Sequence, residues 1–148
     1  DSEDALIKFV ADFKEVFKTL SPEEVAFPRS CNYIDKYVDP NSIYKKGTPI
    51  HVKGALIYNH HILKNKLQRK YPLINDGDKI KFLMLRQPNT VKDTVISFAT
   101  KIHYEFDLQK YVDYEMPFTK TFTDPLRFVL DSIGWKLERE ATLESFFV

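Results

Sequence analysis

The chain has 148 residues, with 22 Lys or Arg against 21 Asp or Glu, 14% aromatic residues and a single cysteine. This composition is typical of a globular chain with a buried core, and it excludes a disordered segment. The one cysteine, Cys31, excludes an internal disulfide and a cysteine-based zinc site, and no apolar run approaches the roughly 20 residues of a membrane span.

Charge is distributed unevenly along the chain. Residues 29–70 contain nine Lys or Arg and two acids, whereas residues 1–28 contain three and seven, and residues 105–148 contain five and nine. The near-neutral total therefore hides a basic middle, which indicates either a positive face or basic residues scattered over the surface. Because the first residue is Asp1 and not Met, we also expect an excised or processed fragment.

Several elements can be predicted from apolar spacing and from capping residues. Residues 3–20 have apolar side chains at one-face helical spacing, and Ser21-Pro22-Glu23-Glu24 is a capping-box pattern that predicts one helical turn followed by an extended segment. Thr48 is predicted to cap a helix that has Pro49 at its first position and ends near Leu67. Residues 105–114 are predicted to be helical.

The remaining elements define the fold class. The turn signal at residues 75–78 precedes an alternating strand, and residues 95–99 form its predicted partner. Asp124 is predicted to cap a short helix with Pro125 at its first position, and Gly134 to end it, with Trp135 packing behind. We therefore expect an α+β fold, mostly helical, with a small antiparallel hairpin or sheet.

Metal binding is not predicted from the sequence. His60 and His61 are adjacent, so they point in different directions and cannot ligate one ion with the usual i, i+4 spacing. Asp76 and Asp78 have no bidentate Glu at calcium-loop spacing, so they are interpreted as turn residues.

The most informative candidate site is the segment around Lys45-Lys46-Gly47. It places two positive side chains and a flexible turn next to the open N–H groups of a predicted helix start, which is the chemistry of a phosphate contact. A solvated lysine pair before an ordinary helix fits the same pattern. Similarly, Lys36 and Tyr37 fit either a contact with a nucleic-acid sugar or a half-buried ring beside a solvated lysine.

The C-terminal segment combines charge with an apolar end. Leu143, Phe146 and Phe147 stand at i, i+3 and i+4, so one helical turn would present all three together. These side chains either fold back on their own domain or anchor the chain in a partner's apolar pocket.

One longer pattern resembles a known family. The residues Tyr-Lys-Lys-Gly-Thr-Pro-Ile-His-Val-Lys-Gly-Ala-Leu-Ile-Tyr at positions 44–58 resemble the C-terminal thumb region of the family B replicative DNA polymerases of T-even-type phages. Further similar segments follow the same order: residues 25–29, 35–37, 70–74, 78–82 and 120–126. The resemblance covers nearly the whole chain.

The resemblance implies a thumb domain at residues 1–136 and a clamp-binding tail at residues 137–148. In this family the thumb holds the primer–template duplex across its minor groove. The positions that resemble DNA contacts are Arg29, Lys36, Tyr37, Lys45, Lys46, Lys53 and Lys120. The tail resembles the sliding-clamp-binding peptide, with Leu143, Phe146 and Phe147 as its apolar contacts and Glu140 where glutamine is usual.

The resemblance also implies what other parts of such an enzyme supply. Polymerases of this family use paired carboxylates and Mg²⁺ ions in the palm, and neither the Asp-Thr-Asp-Ser type motif nor the exonuclease acidic motifs occur here. We therefore expect no catalytic or metal-binding residue in this chain, and no activity from it alone. The expected partners are primer–template DNA, the sliding clamp and the remainder of the polymerase, in the cytoplasm of an infected host.

Two further functions remain open at this stage. The chain could be a free-standing, non-enzymatic interaction protein with a hydrophobic C-terminal anchor. A weaker alternative is a small nuclease that acts alone. If the chain belongs to a polymerase, it could equally be a fragment of the enzyme or one subunit of a split enzyme.

Overall fold

A computed structural model describes residues 2–137 of the chain. The chain divides into two compact units: unit 1 combines Asp1–Leu20 with Glu115–Val148, and unit 2 is Ser21–Tyr114. The fold is α+β, as the sequence predicts. The division into a thumb at residues 1–136 and a tail at residues 137–148 stays a prediction.

Unit 2 is built on a three-stranded antiparallel sheet. Its strands are β1 (Phe27–Cys31), β2 (Asp78–Met84) and β3 (Val95–Phe98), in that spatial order. The predicted β2–β3 pair is confirmed, with Lys81 opposite Phe98. The predicted extended segment after the helical turn is β1, and it pairs with β2 so that Phe27 lies opposite Phe82.

Local sequence signals explain how the chain enters this sheet. The capping box is present: the Ser21 side chain accepts from the Glu24 N–H, and the Glu24 carboxylate accepts from the Ser21 N–H, which starts the single turn α2 (Pro22–Val25). The predicted turn before β2 is also present, and Gly77 adopts φ 83° there. This left-handed conformation suits glycine because a side chain would be strained.

Helix α3 (Ile50–Lys64) packs against β3. All four β3 residues are buried, so side chains on both faces of the strand are covered. The close approach is made at Gly54: a Cβ there would lie 2.8 Å from the Ser97 amide nitrogen and 3.0 Å from the Ile96 carbonyl carbon. The Ser97 hydroxyl donates to the His51 carbonyl oxygen at 2.8 Å, which ties the first turn of α3 to the sheet.

Unit 1 has its own apolar core. It contains α1 (Ser2–Phe17), α4 (Glu115–Phe118), a π-helical segment (Thr119–Thr123) and α5 (Asp124–Asp131). Buried side chains from both ends of the chain form the core: Val10, Phe118, Leu130 and Leu137. Helix α5 ends at Asp131, and Gly134, which was predicted to end it, stands three positions later at φ 79°. Trp135 packs against this core, as predicted.

Four sequence predictions about helices are wrong. Residues 105–114 form no helix; two short 3₁₀ turns (Tyr104–Phe106 and Gln109–Tyr111) stand there, separated by Asp107 in the left-handed conformation. Helix α3 ends at Lys64 and not near Leu67, because Lys66 turns to φ 57°.

The other two concern caps. Thr48 does not cap α3: its hydroxyl donates to the Lys45 carbonyl oxygen at 2.6 Å, and Pro49 occupies the N-cap position. Asp124 does not cap α5, because Thr123 before it and Asp124 itself are helical and the segment runs on from α4.

Candidate nucleic-acid interface

The turn at Lys45-Lys46-Gly47 lies immediately before α3. Gly47 adopts φ 84°, and the Thr48 N–H donates to the Lys45 carbonyl oxygen at 3.3 Å, so the turn is closed on itself. Both lysines are exposed. The structure therefore presents two exposed lysines beside the N-terminal end of a 15-residue helix, where the helix dipole also favours an anion.

A backbone hydrogen bond brings the second predicted contact to the same place. The Lys45 N–H donates to the Tyr37 carbonyl oxygen at 2.9 Å. Lys36 and Tyr37 lie in a 3₁₀ turn (Ile34–Tyr37), and the Lys36 Nζ is 5.5 Å from the centre of the Tyr37 ring. Two segments of the sequence that were predicted separately are thus joined backbone to backbone, with Lys36, Lys45 and Lys46 exposed and Tyr37 half-buried.

The 3₁₀ turn is held from its other end by Asp76. The Asp76 carboxylate accepts hydrogen bonds from the backbone N–H groups of Tyr33 and Ile34. Asp78 accepts from the Asn75 N–H at 2.7 Å. Both carboxylates are therefore engaged in backbone contacts, and the interpretation of Asp76 and Asp78 as turn residues fits their geometry.

Lys53 differs from the other predicted contacts because its charge is already compensated. Its Nζ lies 3.5 Å from the Asp93 Oδ1 and 4.8 Å from the centre of the Tyr44 ring, and the Tyr44 hydroxyl donates to the Asp93 Oδ2 at 2.6 Å. Burial opposes the Lys53 charge, but hydrogen bonding with Tyr44 and the nearby Asp93 charge outweigh it and raise the pKa of Lys53. Any anion that binds Lys53 competes with Asp93.

Arg29 lies on β1 and is exposed. Its guanidinium carbon is 5.4 Å from the centre of the Phe82 ring, and its Nη1 donates to the Pro28 carbonyl oxygen at 2.7 Å. Burial and, after it, the Arg29 charge lower the pKa of His51, in the first turn of α3. The positive field of Arg29 thus reaches the same helix end as Lys45.

Lys120 belongs to the other unit. It is exposed in the π-helical segment, and its Nζ is 3.8 Å from the Asp124 Oδ2. Of the seven predicted DNA contacts, six lie in unit 2 and Lys120 lies in unit 1. The predicted clamp contacts Leu143, Phe146 and Phe147, with Glu140, lie outside the described residues.

The sequence did not predict a polar network in unit 2. The Tyr58 hydroxyl is 3.0 Å from the His103 Nε2, the Tyr71 ring stacks on the His103 ring with 3.4 Å between centres, and the Tyr71 hydroxyl donates to Glu105 at 2.9 Å. Burial, then the proximity of Tyr71, raises the pKa of Tyr58 to about 12. Lys70 completes the network with a 2.9 Å ion pair to Glu105.

The geometry of this network indicates a structural role, because it connects separate segments of unit 2. It joins α3 to residues 70–71 and to the loop at residues 103–105, through partners more than 30 positions apart in the sequence. No spacing rule could have found it, because each of its residues is unremarkable in its local sequence. It includes no serine, threonine or cysteine that could act as a nucleophile.

Residues 2–137 also bear on metal binding and membrane insertion. No group of three or more His, Cys, Asp or Glu side chains there is arranged to hold a metal ion. In the same range, no helix is both long enough and apolar enough to cross a membrane.

Comparison with known proteins shows what the chain is similar to. No protein-family model matches the chain. The DNA-directed DNA polymerase of Enterobacteria phage T4 is 26% identical over 151 residues, covering 99% of this chain and 16% of that protein. This chain is similar to T-even-type phage DNA polymerases. The DNA-directed DNA polymerase of Escherichia phage RB69 is 28% identical, covering 88% of this chain and 14% of that protein.

The comparisons confirm the polymerase resemblance that the sequence motifs indicated. The similarity extends across both units and spans about one sixth or less of each relative. The chain is therefore similar to a portion of each of these polymerases.

Proposed function

We propose that this chain is the thumb of a phage DNA-directed DNA polymerase and that it holds the primer–template duplex during replication. It does so by backbone and minor-groove contacts that do not read sequence. The polymerase similarity supports the enzyme class. The observation that carries the DNA-holding role is the hydrogen bond from the Lys45 N–H to the Tyr37 carbonyl oxygen, because it joins the segment of Lys36 and Tyr37 to the segment of Lys45 and Lys46.

The contacts have distinct tasks in this proposal. Lys45 and Lys46 supply exposed charge to phosphates, and Tyr37 supplies a ring edge and a hydroxyl to a sugar or base edge. A lysine contacts phosphate as a point charge, without the bidentate geometry of arginine. This suits a duplex that is held and then advanced, since no contact fixes one angular position. Arg29 is a further contact on unit 2, and Lys120 is one on unit 1.

Catalysis belongs to other parts of the enzyme in this proposal. The palm of the full polymerase would bind Mg²⁺ through its paired carboxylates, and the exonuclease would be separate. This chain, as fragment or split subunit, would be inactive alone and would act with those parts in the infected host cell. Its C-terminal peptide would bind the sliding clamp, which makes rebinding to DNA nearly intramolecular.

The DNA-holding role predicts a specific change in salt dependence. We expect Lys45→Ala plus Lys46→Ala to reduce the slope of log K against log salt by about 1.8, which is roughly 0.9 for each lost phosphate contact, and to weaken duplex binding about 60-fold at 0.1 M salt. The measurement is fluorescence anisotropy with a labelled primer–template duplex at several salt concentrations.

The matched control removes the same number of positive charges from another part of unit 2. Lys101→Ala plus Lys110→Ala removes two exposed lysines outside the candidate interface, and should leave the slope within about 0.3 of the unsubstituted chain. Equal slopes for the two double variants would overturn the assignment of Lys45 and Lys46. Duplex affinity that is insensitive to salt would favour the free-standing interaction protein instead.

The clamp-binding role has an independent test. We expect Phe146→Ala plus Phe147→Ala to weaken binding to the cognate sliding clamp by at least about 2 kcal/mol, because paired aromatic anchors carry much of the energy of such contacts. Isothermal titration calorimetry measures this loss. Glu144→Ala, at a spacer position of the same peptide, is the control and should leave the isotherm unchanged; an unchanged isotherm for the double Phe variant would defeat the role.

A further inference from the structure

A second surface feature lies along the C-terminal half of α3. It is a cleft of about 410 Å³ between the helix, the segment before Lys45 and the loop before β3. The side chains that matter for its chemistry are Tyr44, His60, His61, Lys64, Lys92 and Asp93. Four of these six are basic.

The basic side chains of the cleft lack local counter-ions. Among residues 2–137, neither Lys64 nor Lys92 forms an ion pair with a carboxylate, and both are exposed. The one acid in the cleft, Asp93, is engaged by Lys53 at 3.5 Å and by the Tyr44 hydroxyl at 2.6 Å. The cleft therefore carries uncompensated positive charge.

The acids of one adjoining cleft are also engaged. A smaller adjoining cleft of about 230 Å³ shares His61 and Lys64, and it is lined by Glu105 and Asp107. Glu105 accepts from Lys70 at 2.9 Å, and Asp107 is 3.7 Å from the Lys110 Nζ. Neither carboxylate is paired with the lysines of the larger cleft.

The loop that presents Lys92 is held in place. The Asn89 side-chain amide donates to the carbonyl oxygens of Arg86 at 2.8 Å and Asp93 at 2.7 Å, and the Asn89 carboxamide oxygen accepts from the Val91 N–H at 3.0 Å. Lys92 adopts φ 57° at the top of this turn. The Lys92 side chain thus projects from a loop with fixed backbone geometry, opposite the helix that carries Lys64.

The helix supplies its groups from one face. Lys53, His60 and Lys64 are separated by seven and four positions, which returns each to within about 20° of the same face at 100° per residue. Lys66 lies beyond the helix end. The row of these three side chains extends about 16 Å along the helix axis from Lys53 to Lys64, at 1.5 Å per residue. His61 turns to the backbone of Val91, and its ring meets the His60 ring edge-on at 5.2 Å.

We propose that this cleft binds a phosphate group, held by the ammonium groups of Lys64 and Lys92 with an N–H of His60. Charge-assisted hydrogen bonds to phosphate oxygens are the interaction these donors form best. Tyr44 lines the cleft and directly precedes Lys45, so the cleft adjoins the proposed DNA-holding surface. The phosphate group could belong to a phosphodiester of the bound DNA strand, and this assignment rests on the proposed function. It could instead belong to a free di- or triphosphate, and that assignment is independent of the proposed function.

The first arm of the test uses pyrophosphate and no DNA. With the ¹⁵N-labelled chain, we expect pyrophosphate at constant ionic strength to shift the ring signals of His60 and His61 and the amides of residues 90–94, with saturation in the millimolar range. Lys64→Gln plus Lys92→Gln should weaken this binding at least tenfold, while Lys79→Gln plus Lys101→Gln, at two exposed lysines that line neither cleft, leaves it unchanged. Absence of saturable shifts, or equal binding by both double variants, would overturn the site.

The second arm identifies the source of the phosphate. If it is a phosphodiester, Lys64→Gln plus Lys92→Gln also reduces the salt slope for duplex binding by about 1.8. If the slope is unchanged while pyrophosphate binding is lost, the site stands and its ligand is a free phosphate compound. If Lys45→Ala plus Lys46→Ala leaves duplex binding intact while pyrophosphate still binds, the proposed function fails and the cleft stands.

Discussion

Replacing Gly54 with alanine should destabilise unit 2 by about 3 kcal/mol, although alanine is the better helix former. Helix propensity alone favours alanine over glycine by about 1 kcal/mol. The new Cβ would meet the Ser97 amide nitrogen at 2.8 Å and the Ile96 carbonyl carbon at 3.0 Å. Because both are backbone atoms of a buried strand, they cannot rotate away, and α3 has to lift from β3.

The measurement is urea unfolding followed by circular dichroism. Gly77→Ala is the matched control: its Cβ would meet nothing within 4 Å, but its φ of 83° is unfavourable for a side chain and should cost about 1–2 kcal/mol. We therefore expect Gly54→Ala to lower the free energy of unfolding more than Gly77→Ala does, whereas backbone conformation alone predicts the opposite order. A Gly54→Ala chain as stable as the unsubstituted one would contradict the close packing of α3 on β3.

Replacing Phe118 with alanine should destabilise unit 1 by about 3–5 kcal/mol, the usual cost of removing a buried aromatic ring. Phe118 is 2% exposed, and its ring lies 5.3 Å from those of Phe17 and Phe122 and 5.8 Å from that of Phe13. Removing it opens a cavity at the point where side chains from both ends of the chain meet. Thermal unfolding monitored by near-ultraviolet circular dichroism measures the loss.

The control for Phe118 is another phenylalanine of the same unit. Phe128 is 82% exposed on α5, so Phe128→Ala should change the stability by less than about 0.5 kcal/mol. Comparable losses for the two variants would show that Phe118 does not anchor the core of unit 1.

Elements specified by neighbouring residues were predictable from the sequence. The capping box at Ser21 and the glycine turn at Gly77 depend on atoms within three or four positions, and both are present. The prediction of a helix at residues 105–114 failed because Phe106, Leu108 and Val112 are buried by tertiary packing without helical geometry. Pairing of β1 with β2 joins positions such as Phe27 and Phe82, and no local rule specifies that pairing.

In the candidate site, too, local features could be predicted from the sequence and long-range contacts could not. The turn at Lys45-Lys46-Gly47 was recognisable because glycine and two lysines are adjacent. Its contact with Tyr37 depends on how the chain folds back, and the pairing of Lys53 with Asp93 joins positions 40 apart. Sequence patterns therefore identified the charged groups, while the structure showed that Lys45 is exposed and that Lys53 is compensated.

The discontinuous composition of unit 1 has a consequence for the order of events during synthesis. Its first helix, α1, is translated before Ser21–Tyr114, whereas its buried partners Phe118, Leu130 and Leu137 are translated after it. At about 5–20 residues per second, the ribosome needs on the order of 5–20 s to make the intervening segment. During that time the apolar face of α1 has none of these three partners to pack against, so α1 completes its packing in unit 1 only after the sheet of unit 2 has been made.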